Sequence, residues 1–188
     1  GIDGEINYNY GQGPFGAGLF GQGAGGAPAP PRQWALDNFG QILVGAPLNG
    51  PLYMWTPPVS QGNFATAVDG APQFSSAVFV AMPQEQVVSL ASDDGGSHAP
   101  LHLRFSEVGN FVGAAAWTAS ATNQAGSCRL TEGARCVGGM QGPQQAYIWT
   151  DIALWAMNYL GCPLVYGFNK VAEGCGLIAP RAAALVNS

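Results

Sequence analysis

His98 and His102 stand four residues apart, the spacing at which two imidazoles on one helix face share a zinc ion. Pro100 between them and Asp93-Asp94-Gly95-Gly96 before them forbid that helix, so a loop carrying two exposed imidazoles is expected and a shared metal is not. Asp93-Asp94-Gly95-Gly96 also offers carboxylate oxygens to calcium, but the further acids of a calcium loop are missing, and the stretch reads as a turn. Gly11 to Gly26 holds three overlapping G-x-G-x-x-G matches: Gly11/Gly13/Gly16, Gly16/Gly18/Gly21 and Gly21/Gly23/Gly26. A pyrophosphate cradle needs one such turn after an apolar strand and opening a helix. Here Ile6 to Tyr10 precede the matches and Pro14 interrupts them, so repetition accounts for all three and no cofactor is expected.

Other catalytic patterns are equally thin. No G-x-S-x-G elbow occurs, no cysteine lies near a histidine in sequence, and eleven acids are spread along the chain rather than paired. Cys128, Cys136, Cys162 and Cys175 contain no C-x-x-C and complete no zinc pattern with the histidines. Free thiols are the expected state, with a Cys128–Cys136 bridge across a hairpin as the competitor. No catalytic, cofactor-binding or metal-binding residue is nominated, and the chain is not expected to be an enzyme.

The elements that would position any site are short strands. The chain has 188 residues, with 28 Gly, 14 Pro and only 9% charged residues. Gly and Pro punctuate turns and break helices. A surface with so few charges is suited to meeting other protein. Net charge is −5, and the six basic residues (Arg32, Arg104, Arg129, Arg135, Lys170, Arg181) are scattered singly, which argues against phosphate-directed nucleic-acid binding. No apolar run is long enough to span a bilayer, and no signal peptide is visible. The start at Gly rather than Met points to a processed, trimmed or partial polypeptide.

Residues 1–31 form a Gly/Pro-rich low-complexity arm, with Tyr8, Tyr10, Phe15 and Phe20 as docking aromatics and Ala27 to Pro31 as a stiff spacer. From residue 32 to 188, strand-length apolar segments alternate with turns. The first strand meets a turn at Asp37-Asn38. A second strand, Gln41 to Val44, is followed by a Pro47-to-Pro51 connection and a third strand, Leu52 to Trp55. Ala77 to Ala81 and Gln86 to Leu90 flank Met82-Pro83-Gln84-Glu85, and Pro100 to Gly113 repeats that arrangement. Gln145 to Gly161 is ambiguous: Ile148, Ile152, Trp155 and Tyr159 lie at helical spacing, while its Tyr, Ile, Trp and Thr content and strand-like neighbours favour a hairpin turning at Thr150-Asp151. The hairpin is preferred. A period on the order of forty residues, four strands each, is that of propeller blades. The expected fold is all-β, with antiparallel meanders forming three to four blades of an incomplete β-propeller.

Four stretches share a pattern with a known family: Thr122-Asn123-Gln124-Ala125-Gly126-Ser127; Ile148-Trp149-Thr150-Asp151; Gly161-Cys162-Pro163 with Tyr166-Gly167-Phe168; and Cys175-Gly176-Leu177-Ile178-Ala179-Pro180. With Trp34 to Gly45, Gly50 to Trp55 and the Gly-aromatic arm, they make nearly the whole chain resemble virion structural proteins of tailed phages, chiefly short-tailed ones, which build the tail hub or nozzle through a β-propeller. The resemblance implies a ring of identical subunits, contacts with other tail or portal-adapter proteins, phage DNA passing non-specifically through the channel during ejection, and residence in the virion tail after assembly in the host cytoplasm. The motif residues have structural readings: Asn123 to Gly126 as a tight turn with Asn at positive φ, Asp151 accepting backbone N–H groups or pairing with Arg129 or Arg135, and Cys175-Gly176 as close backbone approach between blades. Two other classes stay open. A carbohydrate or host-receptor binding propeller would stack sugars on Trp117 or Trp155, and a glycosidase or lyase would draw on Asp69, Asp151 and Glu132.

Overall fold

In the computed structural model, which describes residues 33–57, 64–161 and 164–185, the apolar segments become three consecutive four-stranded antiparallel sheets. The arm expected over residues 1–31 and Cys162-Pro163 lie outside the described residues. The first sheet runs β1 (Trp34–Phe39), β2 (Ile42–Pro47), β3 (Tyr53–Trp55), β4 (Thr66–Ala67) in spatial order. Its first turn falls at Gly40-Gln41 rather than Asp37-Asn38. Gly40 supplies the left-handed φ of +56° at no steric cost, while Asp37 stays in the strand because its carboxylate is used elsewhere. Asn49, at φ +58°, turns the β2–β3 connection as its residue type allows.

The second sheet contains β5 (Ala77–Ala81) and β6 (Gln86–Leu90), matching the expected boundaries. A small hairpin follows, β7 (Asp93–Asp94) and β8 (Ser97–His98), then β9 (His102–Phe105) and β10 (Gly126–Arg129), giving the order β10-β9-β6-β5. Gly95 and Gly96 sit at φ +61° and +87°, the paired positive values of a two-residue hairpin turn. Glu107 to Trp117 does not form the second hairpin expected there. Glu107 and Asn110 make one isolated bridge, and Ala114–Trp117 coil into a 3₁₀ turn that brings Trp117 into the core.

The third sheet is β11 (Cys136–Gln141), β12 (Ala146–Thr150), β13 (Ala153–Tyr159) and β14 (Tyr166–Glu173), again in sequence order. Residues 145–161 are therefore a hairpin. Ile148 pairs with Trp155 and Tyr147 with Ala156, so the i, i+4, i+7 recurrence has no helix behind it.

Alternation in the middle sheet divides the core. Val78, Val80 and Val87 face the first sheet, joining Val44, Ala46, Leu52, Phe111 and Trp117 in one cluster. Phe79, Val88 and Leu90 face the third, joining Ile148, Trp155 and Met157 in another. A sheet buried on both faces lacks the usual apolar–polar alternation: β5 and β6 are buried throughout, β5 with apolar residues only and β6 with its polar Gln86 and Ser89 hydrogen-bonded. The first strands of the sheets are neighbours, β1 beside β5 and β5 beside β11. No closed barrel or propeller is detected among the described residues.

Candidate functional site

Polar side chains pin the two seams between the sheets. As the first strand of its sheet, β5 has one unpaired edge, and its backbone groups there need partners from outside. Asp37 on β1 accepts the Val80 N–H at 2.7 Å, and Gln141 on β11 accepts the Met82 N–H at 3.1 Å. Ser76, just before β5, donates toward the Cys136 carbonyl at 3.2 Å. At the other end of the second seam, Gln86 is fully buried. Its amide donates to the carbonyls of Ser106 (2.6 Å) and Gln124 (3.1 Å), and its oxygen accepts the Tyr166 hydroxyl at 2.7 Å. Burial, and secondarily the neighbouring Tyr159, raises the Tyr166 hydroxyl above its ordinary pKa, so it remains a donor. The sequence marks Gln124 and Tyr166 only as parts of the family-like motifs and Asp37 only as a turn residue, and none of these contacts is expected from it. The available signal was a polar residue at a core-facing strand position: Asp37 shares the side of Ala35 and Phe39 in β1.

The family-like motif residues hold loops onto these sheets. The turn near Asn123 falls at Ala121-Thr122, and neither Asn123 nor Gly126 has positive φ, so the expected tight turn over Asn123 to Gly126 is corrected. Asn123 works through its side chain instead. Its Nδ2 donates to the carbonyls of Ala115 (3.0 Å) and Thr118 (2.9 Å), and its Oδ1 accepts the Ser120 N–H at 2.9 Å. Gln124 accepts the Tyr159 hydroxyl at 2.8 Å. Buried Ala125 leads into Gly126, where an added Cβ would lie 2.7 Å from the Phe105 ring.

Asp151 accepts the Ala134 N–H at 2.8 Å and, more weakly, that of Arg135 at 3.5 Å. Arg129 pairs instead with Asp94, at 2.9 Å. Thr150 is fully buried, and its hydroxyl accepts the Ala153 N–H at 2.9 Å, closing the β12–β13 turn. Gly176 does make a close backbone approach, but its partner is Asp151 in that turn of its own sheet and not another sheet; an added methyl would overlap the Asp151 carbonyl. The Leu177 N–H donates to the Thr150 carbonyl at 3.1 Å. From there the tail runs back along the first strands, where Arg181 donates to the Trp34 carbonyl at 2.9 Å. Together β1, β5, β11 and residues 179–182 surround a groove of about 750 Å³, with Asp37 and Arg181 among its walls.

The chemically suggestive residues are employed structurally. His98 is exposed on β8 near the Phe74 ring, whereas His102 is buried on β9 with Nδ1 3.0 Å from the Asp93 carbonyl; the expected pair of exposed imidazoles is corrected. His102 lies on the side of β9 opposite Leu103 and Phe105, with Arg104, and it is buried because this strand is covered on both sides. Asp93 faces Arg104 at 3.4 Å. Among the described residues no group of three His, Cys, Asp or Glu side chains converges on a metal position. Cys128, Cys136 and Cys175 are unpaired, and burial pushes the Cys136 thiol up to about 12. Trp117 and Trp155 are core residues, 2% and 8% exposed, so neither is available as a sugar-stacking platform. Of the three acids considered for catalysis, Asp151 is engaged with backbone N–H groups, Glu132 binds Lys170 at 2.7 Å, and Asp69 belongs to the loop after β4. No family model matches the chain, and no curated protein matches it significantly.

Proposed function

We propose that the chain is a structural subunit of a phage tail, of the hub or nozzle type, in which blade-like sheets hold an annulus open for DNA. The observation that carries this reading is the arrangement of three successive four-stranded antiparallel meanders, each entered through its first strand, with those first strands side by side around one groove. Blades of a β-propeller are built in this way. The polar bonds at the seams serve rigidity: carboxylate, amide and hydroxyl groups of Asp37, Gln141 and Ser76 bond backbone partners on the neighbouring sheet. The acidic balance, net −5, suits a conduit that DNA passes without adhering, since phosphate and protein carry the same sign.

Electron microscopy of the purified chain, combined with DNA retention at low salt, tests the proposal. Annular particles that release DNA are expected. Tight DNA binding, or particles with no open centre, would refute the conduit.

A further inference from the structure

Each internal seam joins two sheets face to face, and among the described residues the sheets at the two ends of the series have one face each that no third sheet covers. Ordinary antiparallel sheets with a solvated face read apolar on one side and polar on the other. The end sheets of this chain do not.

On β1, Ala35 and Phe39 point into the first seam. The alternate positions Trp34 and Leu36 point away, at 38% and 48% exposure, and the Trp34 ring lies 5.6 Å from that of Tyr53 on β3. Leu36 drapes over Gly45, whose missing Cβ would lie 2.5 Å from the Leu36 side chain, and the next outward position, Asn38, is polar but uncharged. On the third sheet, Ile148, Trp155 and Met157 point into the second seam. The alternate positions Tyr147, Trp149 and Leu154 point away and are half-buried, with the first two rings 6.2 Å apart and Leu154 paired to Trp149. The tail meets this outer side at Gly138, on β11, where an added Cβ would lie 2.7 Å from the Pro180 carbonyl. None of these outward positions is charged.

We infer that the outer face of the third sheet docks on the outer face of the first sheet of a second copy, so that the sheet series continues from one chain into the next. Continuity with the internal seams selects this occupant: first packs on second and second on third, and a third-to-first contact repeats the same step with the same class of residues. Such a contact is heterologous, using two different surfaces, and it propagates until rotation closes a ring. The inference rests on the ring reading above and supplies its subunit interface.

The test is a mixing experiment on the full chain, read by light scattering after size exclusion. Leu36→Glu removes the first-sheet face and Leu154→Glu the third-sheet face; Tyr147→Glu replaces the latter if the Leu154 variant loses its cooperative melt. Wild type is expected as a multimer of the 19.4 kDa chain and each variant alone as single chains. An equimolar mixture of the two variants retains one intact pair of faces, so it forms a complex of twice the chain mass. Wild type that stays a single chain overturns both this seam and the ring. Rings that persist in Leu36→Glu, or a mixture that stays monomeric while wild type assembles, overturn this seam alone.

Discussion

Gln86→Ala is expected to be among the most damaging single changes in this chain, because one buried amide serves three partners. It removes the bonds to the Ser106 carbonyl, the Gln124 carbonyl and the Tyr166 hydroxyl. Each such bond contributes about 1 kcal/mol net, and a buried hydroxyl left without a partner costs about 1–3 kcal/mol more. A loss of about 4–6 kcal/mol follows, a large part of the roughly 5–15 kcal/mol that holds a domain folded. Tyr166→Phe alone removes one donor and strands the Gln86 oxygen, for about 1–3 kcal/mol. Urea unfolding of wild type, both single variants and the double variant gives the coupling. In the Gln86→Ala background, Tyr166→Phe is expected to be nearly neutral, because the acceptor is already gone. The latch is refuted if Tyr166→Phe costs the same in both backgrounds, or if Gln86→Ala costs less than about 1 kcal/mol.

Three further outcomes are expected. Gly176→Ala forces a methyl onto the Asp151 carbonyl and costs about 1–3 kcal/mol, seen as faster hydrogen exchange at the Leu177 amide, which the tail docking protects. Glu85 holds φ +51° between β5 and β6, so Glu85→Gly relieves a strain of about 1 kcal/mol and raises Tm by about 2–4 °C in calorimetry. The buried Cys136 thiol ionises at about 12 when folded, against 9.0 ordinarily, so the unfolded chain loses its proton first. Its contribution is intact below pH 9 and is lost as pH rises from 9.0 toward 12, visible as a falling unfolding midpoint that Cys136→Ser removes.

Much of the strand order was legible because it is written in local pattern. The stretch Ala77 to Leu90 has β-branched and aromatic residues bounded by turn formers, and its two strands fall where expected. The hairpin at 145–161 was decided by composition over periodicity, and composition prevailed because the aromatic and β-branched residues pack on a sheet face. What failed depended on partners far away in sequence. Asp37-Asn38 has strong turn chemistry, but a carboxylate that satisfies an amide of the neighbouring sheet stays in its strand, and the turn moves to Gly40. His102 looked like a loop residue beside Pro100, yet it belongs to a strand covered on both sides, so the side opposite Leu103 and Phe105 is enclosed as well. The latch of Gln86 and Tyr166 joins residues eighty positions apart, which no window of sequence displays.

Because the strands of each sheet come from one continuous stretch of chain, each sheet can form from its own segment as that segment becomes available, without waiting for distant chain. The middle sheet is the exception to this independence in one respect: its strands supply residues to both hydrophobic clusters, seven of the fifteen buried residues of one and three of the eleven of the other. It acts as the keystone of the stack, so its loosening would bare two apolar surfaces at once and join the fates of the two end sheets.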